Sequence, residues 1–216
     1  MAIAGEGTDM ADAARPMGEA YPGEEGQSDR VREILRTGAR IFAQKGFERT
    51  SMRDISDACG ISKALLYHHF DSKDNLYALI AHNSAQHLYE FVYQRIPEEG
   101  TAGEKIKAFM VAMATFFDEH RWAWIASSAA FWSDPDRKRM ETRIRQRKEL
   151  ENRLRNLIRE GIESGEFNET DPAMTGRLIL SGINWMHRWY NPEGKMRAAD
   201  IVAAYFDTIY NGLARR

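Results

Sequence analysis

The stretch "TSMRDISDACGISKALLYHHFDSKDNL", Thr50 to Leu76, holds two short helices, a glycine turn and the start of a longer helix. Ser51 precedes Met52 with Asp54 three residues on, the pattern of a capping box that opens a helix. That helix runs only to about Cys59, because Gly60 is a natural left-handed residue. Ser62 then caps a second helix ending near Phe70, and Asp71 and Ser72 start the next. Short helix, glycine turn and short helix is the spacing of a helix-turn-helix. At about 100° per residue from Lys63, Tyr67 falls near 40°, Ala64 near 100° and His68 near 140°, while Leu66 and Phe70 fall near 300° and 340°. Leu66 and Phe70 can therefore bury while Ser62, Lys63, Ala64, Tyr67 and His68 stay outside as a reading face.

Helical spacing continues outward in both directions, with almost no two-residue alternation. Upstream, Val31, Ile34, Leu35, Ile41 and Phe42 recur about one turn apart until Gly46. Downstream, Leu76, Leu79, Ile80, Leu88, Phe91, Val92 and Ile96 keep the period until Pro97 and Gly100. Further helices are expected at about 103–118, 121–132, 136–164, 172–189 and 198–213, punctuated by Pro135, Gly165, Pro172, Pro192 and Gly194. No internal repeat is present, which disfavours a solenoid. The expected fold class is all-α, with a compact three-helix N-terminal head at 28–77 and a larger helical remainder at 78–216.

Charge is unevenly spread over the 216 residues. Residues 1–27 hold six acids against Arg15, so -2 overall less -5 in this leader leaves +3 for the rest. Its Gly, Ala, Pro and Glu content without periodicity predicts a disordered acidic leader, either a solvated tail or one that tunes DNA affinity. A single cysteine, Cys59, excludes an internal disulfide framework and points to a reducing compartment. The charge-free run Trp122 to Ser133 is far short of the ~20 residues of a membrane helix, and the N terminus lacks the apolar segment of a signal peptide. A cytoplasmic chain with no membrane partner is expected. Catalytic motifs are missing: there is no GxGxxG, P-loop, HExxH or Gly-x-Ser-x-Gly. His82 and His87 are five apart, the wrong interval for one helical face, and no enzyme, metal or cofactor is expected.

The Thr50 to Leu76 stretch resembles the TetR family of transcriptional regulators, through its helix-turn-helix, its Tyr-x-His-Phe ending and the Ser-Lys that opens the next helix. The resemblance covers about residues 30–77 and implies that the third helix enters the DNA major groove. By matching positions, Ser62, Lys63, Ala64 and Leu65 would face base edges. Thr50, Ser51, Arg53, Tyr67, His68, His69 and Lys73 would hold phosphates. Lys63 can donate to guanine, though a surface lysine is also content in water. Tyr67 has a ring that could pack inward, but its outward face favours a phosphate. Lys73 opposes the macrodipole in the first turn of its helix, which a phosphate, Asp71 or Asp74 would explain. His69 points partly inward and could only fix the backbone. Leu65 departs from the small or polar residue usual there; it could read a thymine methyl or contribute nothing.

One such head makes too few contacts for high affinity, so a homodimer on palindromic double-stranded operator DNA is expected, with half-sites about 34 Å apart or a multiple. The resemblance implies a four-helix dimer interface from the last two helices, which offer Met174, Leu178, Ile183, Ile201, Val202, Tyr205, Phe206 and Ile209; an interior stripe is the alternative for about half of them. The larger domain would also bind a small effector. Phe109, Met113, Phe116, Phe117, Trp122, Trp124, Phe131 and Trp132, with Trp185 and Trp189, have the composition of an apolar ligand cavity or of an ordinary core. "NWMHRWYNPEG", Asn184 to Gly194, resembles the C-terminal signature of TetR regulators that respond to acyl-coenzyme A thioesters. Arg188, between Trp185 and Trp189, would be costly to bury unpaired, so a phosphate, carboxylate or thioester oxygen, or else a nearby Asp or Glu, is its expected partner. Arg143, Arg147 and Arg155 belong to a helix that reads as a solvated face with internal ion pairs, or could reach a coenzyme A phosphate. The expectation is a repressor released by a small lipophilic effector, an acyl-CoA. Lipophilic cations are the rival class, requiring acids such as Asp118 or Glu119. A ligand-free architectural DNA binder, with a filled core, is the third reading.

Overall fold

Serine and threonine caps set the helix starts. Ser28 opens α1 (Asp29–Lys45), Ser51 opens α2 (Met52–Ala58), Ser62 opens α3 (Lys63–His69) and Ser72 opens α4 (Lys73–Tyr93). In each case the side-chain oxygen accepts a backbone N–H that would otherwise have no partner in the first turn. Gly46 and Gly60 take φ of 80° and 63°, the left-handed conformation that lets the chain turn out of α1 and between α2 and α3. The computed structural model describes residues 28–129 and 137–213. Beyond α4 it contains α5 (Ala102–Glu119), α6 (Arg121–Ala129), α7 (Arg137–Glu163), α8 (Pro172–Asn184), a 3-10 turn (Met186–Arg188) and α9 (Ala198–Leu213). The fold is all-α among the described residues.

Two differences from the sequence expectation have physical causes. The expected helix 172–189 stops at Asn184, where the Trp185 amide is shared between the Ser181 and Ile183 carbonyls and the chain tightens into the 3-10 turn. That change of pitch sends Met186 and Tyr190 into the core. The fourth helix ends at Tyr93 rather than near Ile96, yet Ile96 is still buried in the core of the larger domain.

Two hydrophobic cores result. The head core joins Ile34, Phe42, Ile55, Leu66, Phe70 and Leu76, and it extends to Ala126 of α6. The core of the larger domain joins Phe109, Phe116, Phe117, Leu154, Ile158 and Ile183. Along α4, Tyr77 and Ile80 belong to the first and Val92 to the second. Buried Ser84 and His87 lie between them on the same helix, so a polar layer separates the two cores. In the larger domain, Glu166 after α7 accepts from the first two amides of α5, Ala102 at 2.9 Å and Gly103 at 3.1 Å, and from the Tyr210 hydroxyl of α9 at 3.3 Å. A carboxylate at a helix N terminus is favoured by the macrodipole, so this one side chain ties three elements together.

Candidate nucleic-acid interface and effector region

Helix α3 presents the face its sequence predicts. Leu66 and Phe70 are buried in the head core, while Ser62, Lys63, Ala64, Leu65, Tyr67 and His68 are exposed. The Ser62 hydroxyl accepts the Leu65 amide at 3.1 Å and fixes the start of the helix. The Lys63 ammonium lies 5.6 Å from the centre of the Tyr67 ring one turn later, within cation-π range. His69 is half-buried, its ring 5.2 Å from that of His68. Ser51 and Arg53 are also exposed. The Ser51 hydroxyl is already engaged in a reciprocal capping box with Asp54. Hydrogen bonds from Ser51 and Lys45 hold the Asp54 carboxyl well below the usual carboxylate range.

Two residues expected to hold phosphates have partners within the head: Thr50 is a correction, and Lys73 is partly engaged. Thr50 is only 2% exposed; its hydroxyl donates to the Gly46 carbonyl at 2.8 Å and its amide to the Phe47 carbonyl at 3.2 Å. Its donors close the turn after α1, which leaves none to aim at DNA. Lys73 is held by neither Asp71 nor Asp74: its ammonium donates to the Phe47 carbonyl at 2.9 Å and sits 4.1 Å over the Phe47 ring. This lysine clasps the α1–α2 turn, and only its remaining donors are available to a phosphate.

The aromatic residues of α5 and α6 divide between the two cores. Phe109, Met113, Phe116, Phe117 and Trp124 are buried together in the larger domain, with ring centres 5.7 Å apart for Phe117 and Trp124 and 5.5 Å for Phe117 and Tyr190. Trp122 is a correction: it packs on the head core, with the Arg121 guanidinium 5.3 Å from its ring. Trp122 and Trp124 are two residues apart, about 200° around the helix, and so face opposite ways. Phe131 and Trp132 lie outside the described residues.

Trp185, Arg188 and Trp189 lie on the surface of the protomer, not among its core helices. All three are exposed, Trp185 by 58% and Trp189 by 49%, and the Arg188 guanidinium sits 4.3 Å over the Trp185 ring. Exposed in this way, Arg188 needs no anionic partner to offset desolvation within one protomer. Of the dimer candidates, Met174 and Leu178 are exposed by 58% and 64%; Ile183, Val202 and Phe206 belong to the core, and Ile201, Tyr205 and Ile209 pack against it. On the basic helix α7, Arg147 and Arg155 share Glu151 at 3.4 and 3.5 Å, as expected of a solvated face.

Arg143, in contrast, is buried and its charge acts on Tyr77, whereas the polar layer at Ser84 and His87 is what sequence reading missed. Burial pushes the His87 imidazole down to about 4, with the neighbouring His120 and His82 adding to the shift. Burial, and then the Arg36 guanidinium of α1, do the same to His120. The available signal was position: Ile80, Ser84 and His87 follow one another at helical spacing on the inward stripe of α4. Among the described residues no group of His, Cys, Asp and Glu is arranged to hold a metal ion, and no helix is long and apolar enough to cross a membrane.

Comparison with known proteins agrees with this architecture. Residues 34–80 match the N-terminal domain described as "Bacterial regulatory proteins, tetR family", and residues 99–213 match "Tetracyclin repressor-like, C-terminal domain". The HTH-type transcriptional repressor KstR2 of Rhodococcus jostii is 28% identical over 88% of this chain and 93% of its own. Among solved structures, the TetR family regulator PfmR from Thermus thermophilus is 37% identical, with a TM-score of 0.77 over 84% of this chain and 99% of its own. The fold is shared by AibR, solved with isovaleryl coenzyme A and operator DNA, at 23% identity and a TM-score of 0.72 over 84% of this chain and 98% of that one. A helix-turn-helix head with an exposed reading face, joined to a matching helical domain, makes this chain a DNA-binding regulator rather than an enzyme, and it belongs to the TetR family.

Proposed function

We propose that two copies of the chain form a repressor of a palindromic operator, released when the larger domain binds an acyl-CoA thioester. One observation carries the reading. Met174, Leu178 and Trp185 fall at i, i+4 and i+11 and leave an exposed apolar stripe along α8, with Arg188 and Trp189 at its end. Such a contiguous apolar face marks an interaction surface, and a second copy of α8 suits it. Exposure of Arg188 on an indole ring means that any pocket it walls is closed only when the partner is in place. That arrangement offers a guanidinium for phosphate or carboxylate beside rings for a lipophilic chain, the chemistry of a CoA thioester.

Relatives support the same class: KstR2 is named a transcriptional repressor, and AibR was solved with isovaleryl coenzyme A. Lipophilic cations are less well served, because Asp118 already accepts from the Tyr190 hydroxyl at 2.8 Å and lies 3.8 Å from Arg197. Release follows if the thioester prefers a conformation in which the two heads no longer match successive major grooves, a shift that needs differential affinity for the two states. Calorimetric titration with octanoyl-CoA, free coenzyme A and tetraphenylphosphonium tests the reading, with operator mobility shifts alongside. The thioester is expected to bind and to release DNA, and Arg188→Met to weaken it roughly ten-fold or more, the value of a lost charge-assisted bond. Tight binding of the cation with none of the thioester would overturn the proposal.

A further inference from the structure

Helix α6 is two-faced: Trp124 is buried in the core of the larger domain, whereas Trp122 and Ala126 pack on the head core. Where α6 meets the head, one side chain joins three elements. The Tyr77 hydroxyl donates to the Ala126 carbonyl of α6 at 3.0 Å, a buried bond between residues distant in sequence. The ring of the same tyrosine lies 4.8 Å from that of Phe42 at the end of α1 and 4.8 Å from that of Phe47 in the α1–α2 turn. Lys73, one turn before Tyr77 on α4, holds the Phe47 carbonyl. The turn that leads into the helix-turn-helix is thus gripped from α4 by Lys73 and Tyr77, and Tyr77 in turn is pinned to α6.

We infer that Tyr77 is a positioning residue for DNA binding: through its hydroxyl on Ala126 it fixes the angle at which the reading head sits on the larger domain. The inference rests on the proposed two-headed reading of an operator, and it goes beyond it by assigning the joint that sets head separation. Trp122 and Ala126 make non-directional contacts, and a second hydrogen bond between α6 and α4, from Ser127 to Ser84, is long at 3.4 Å, so packing leaves sliding freedom at this joint. A buried hydrogen bond is directional and costly to leave unmade, so it selects one angle out of those that packing allows. Tyr77 touches no base or phosphate in this scheme; its effect on DNA is carried entirely by geometry.

The consequence is a dependence on half-site spacing. With the joint fixed, two heads fit one spacing and reject its neighbours. A loosened joint lets the heads adapt, so the preference flattens while each head reads its half-site as before. The test uses the full chain and DNA half-sites selected from random sequence, arranged as palindromes with the separation varied one base pair at a time. Wild type is expected to favour one spacing by roughly ten-fold or more, within the usual range of coupling between sites. Tyr77→Phe, which keeps the ring and removes only the hydroxyl, is expected to reduce that preference to about two- or three-fold, the residue of the lost bond. Its affinity for a single half-site should be unchanged. Trp122→Leu loosens the same joint from the α6 side and should flatten the preference in the same direction, which keeps the test open if Tyr77→Phe does not fold. A merely structural role would lower all spacings and the single half-site together, and that result would overturn the assignment. So would wild-type spacing preference in both variants. A wild-type chain without any spacing preference would sink the two-headed reading and this inference with it.

Discussion

His87 is 4% exposed on α4, with His120 from the end of α5 and His82 nearby, and His120 in turn has Arg36 of α1 beside it. An imidazole in that setting sheds its proton, so both His87 and His120 are held at about 4 against an ordinary value of 6.5. Above the ordinary value both folded and unfolded chains carry neutral imidazoles, and the stability is fully present. As pH falls from 6.5 towards 4 the unfolded chain takes up protons that the folded one refuses, and stability is lost at about 1.4 kcal/mol per unit for each group. Urea midpoints measured between about pH 7 and pH 4.5 should therefore fall steeply, and His87→Gln should make the fall shallower. Asp54, whose carboxyl is also depressed, loses its contribution only below the ordinary carboxylate value of 3.8, so it does not confuse this window. A stability that stays level from about pH 7 to pH 5 would contradict the buried state of these imidazoles.

At the scale of elements, the end of α7 shows packing overriding propensity. Gly161 lies inside the helix, where alanine is favoured by about 1 kcal/mol. A Cβ there would meet two carbons of the Phe167 ring at 2.2 Å, and Phe167 is buried with its amide donating to the Gly161 carbonyl at 2.9 Å. Overpacking a site that cannot yield costs about 1 to 3 kcal/mol, more than the propensity gain. Gly161→Ala should therefore destabilise the fold in denaturant unfolding, whereas Gly212→Ala in α9, whose Cβ would meet nothing, should be neutral or slightly stabilising. Equal effects at the two glycines would remove the Phe167 explanation. The same contrast explains what was legible in the sequence. Ser51, Ser62 and Ser72 act through neighbours three residues away, so the starts of α2, α3 and α4 could be read directly. The end of α8 could not, because Met186 and Tyr190 are drawn inward by rings of α5 far along the chain. Trp122 and Trp124 read alike in the sequence, as cavity or core, because composition does not say which core each face of α6 meets. The five-residue interval from His82 to His87 does not reveal that His87 has His120 of another element beside it.

For the whole molecule, the proposed function turns on whether two heads are held together, and the exposed stripe of α8 is where that is tested. Leu178 is 64% exposed and makes little contact within the protomer, so changing it should leave the monomer fold intact. In a two-fold interface each substitution occurs twice, on opposing surfaces. Leu178→Glu then forfeits two buried leucines, at about 1.5 to 3 kcal/mol each, and brings two carboxylates into an apolar contact. A dimer dissociation constant raised by roughly a hundred-fold or more follows from those magnitudes. Sedimentation at micromolar concentration should show a wild-type dimer and a variant monomer with unchanged helical signal. Operator affinity should fall with dimerisation, because a single head retains only its own base contacts. The salt-dependent binding of that head to random DNA rests on phosphate contacts and should persist. A variant that stays dimeric at the wild-type affinity would move the interface away from α8, and Trp185, Arg188 and Trp189 would then be surface residues with no second copy to enclose them.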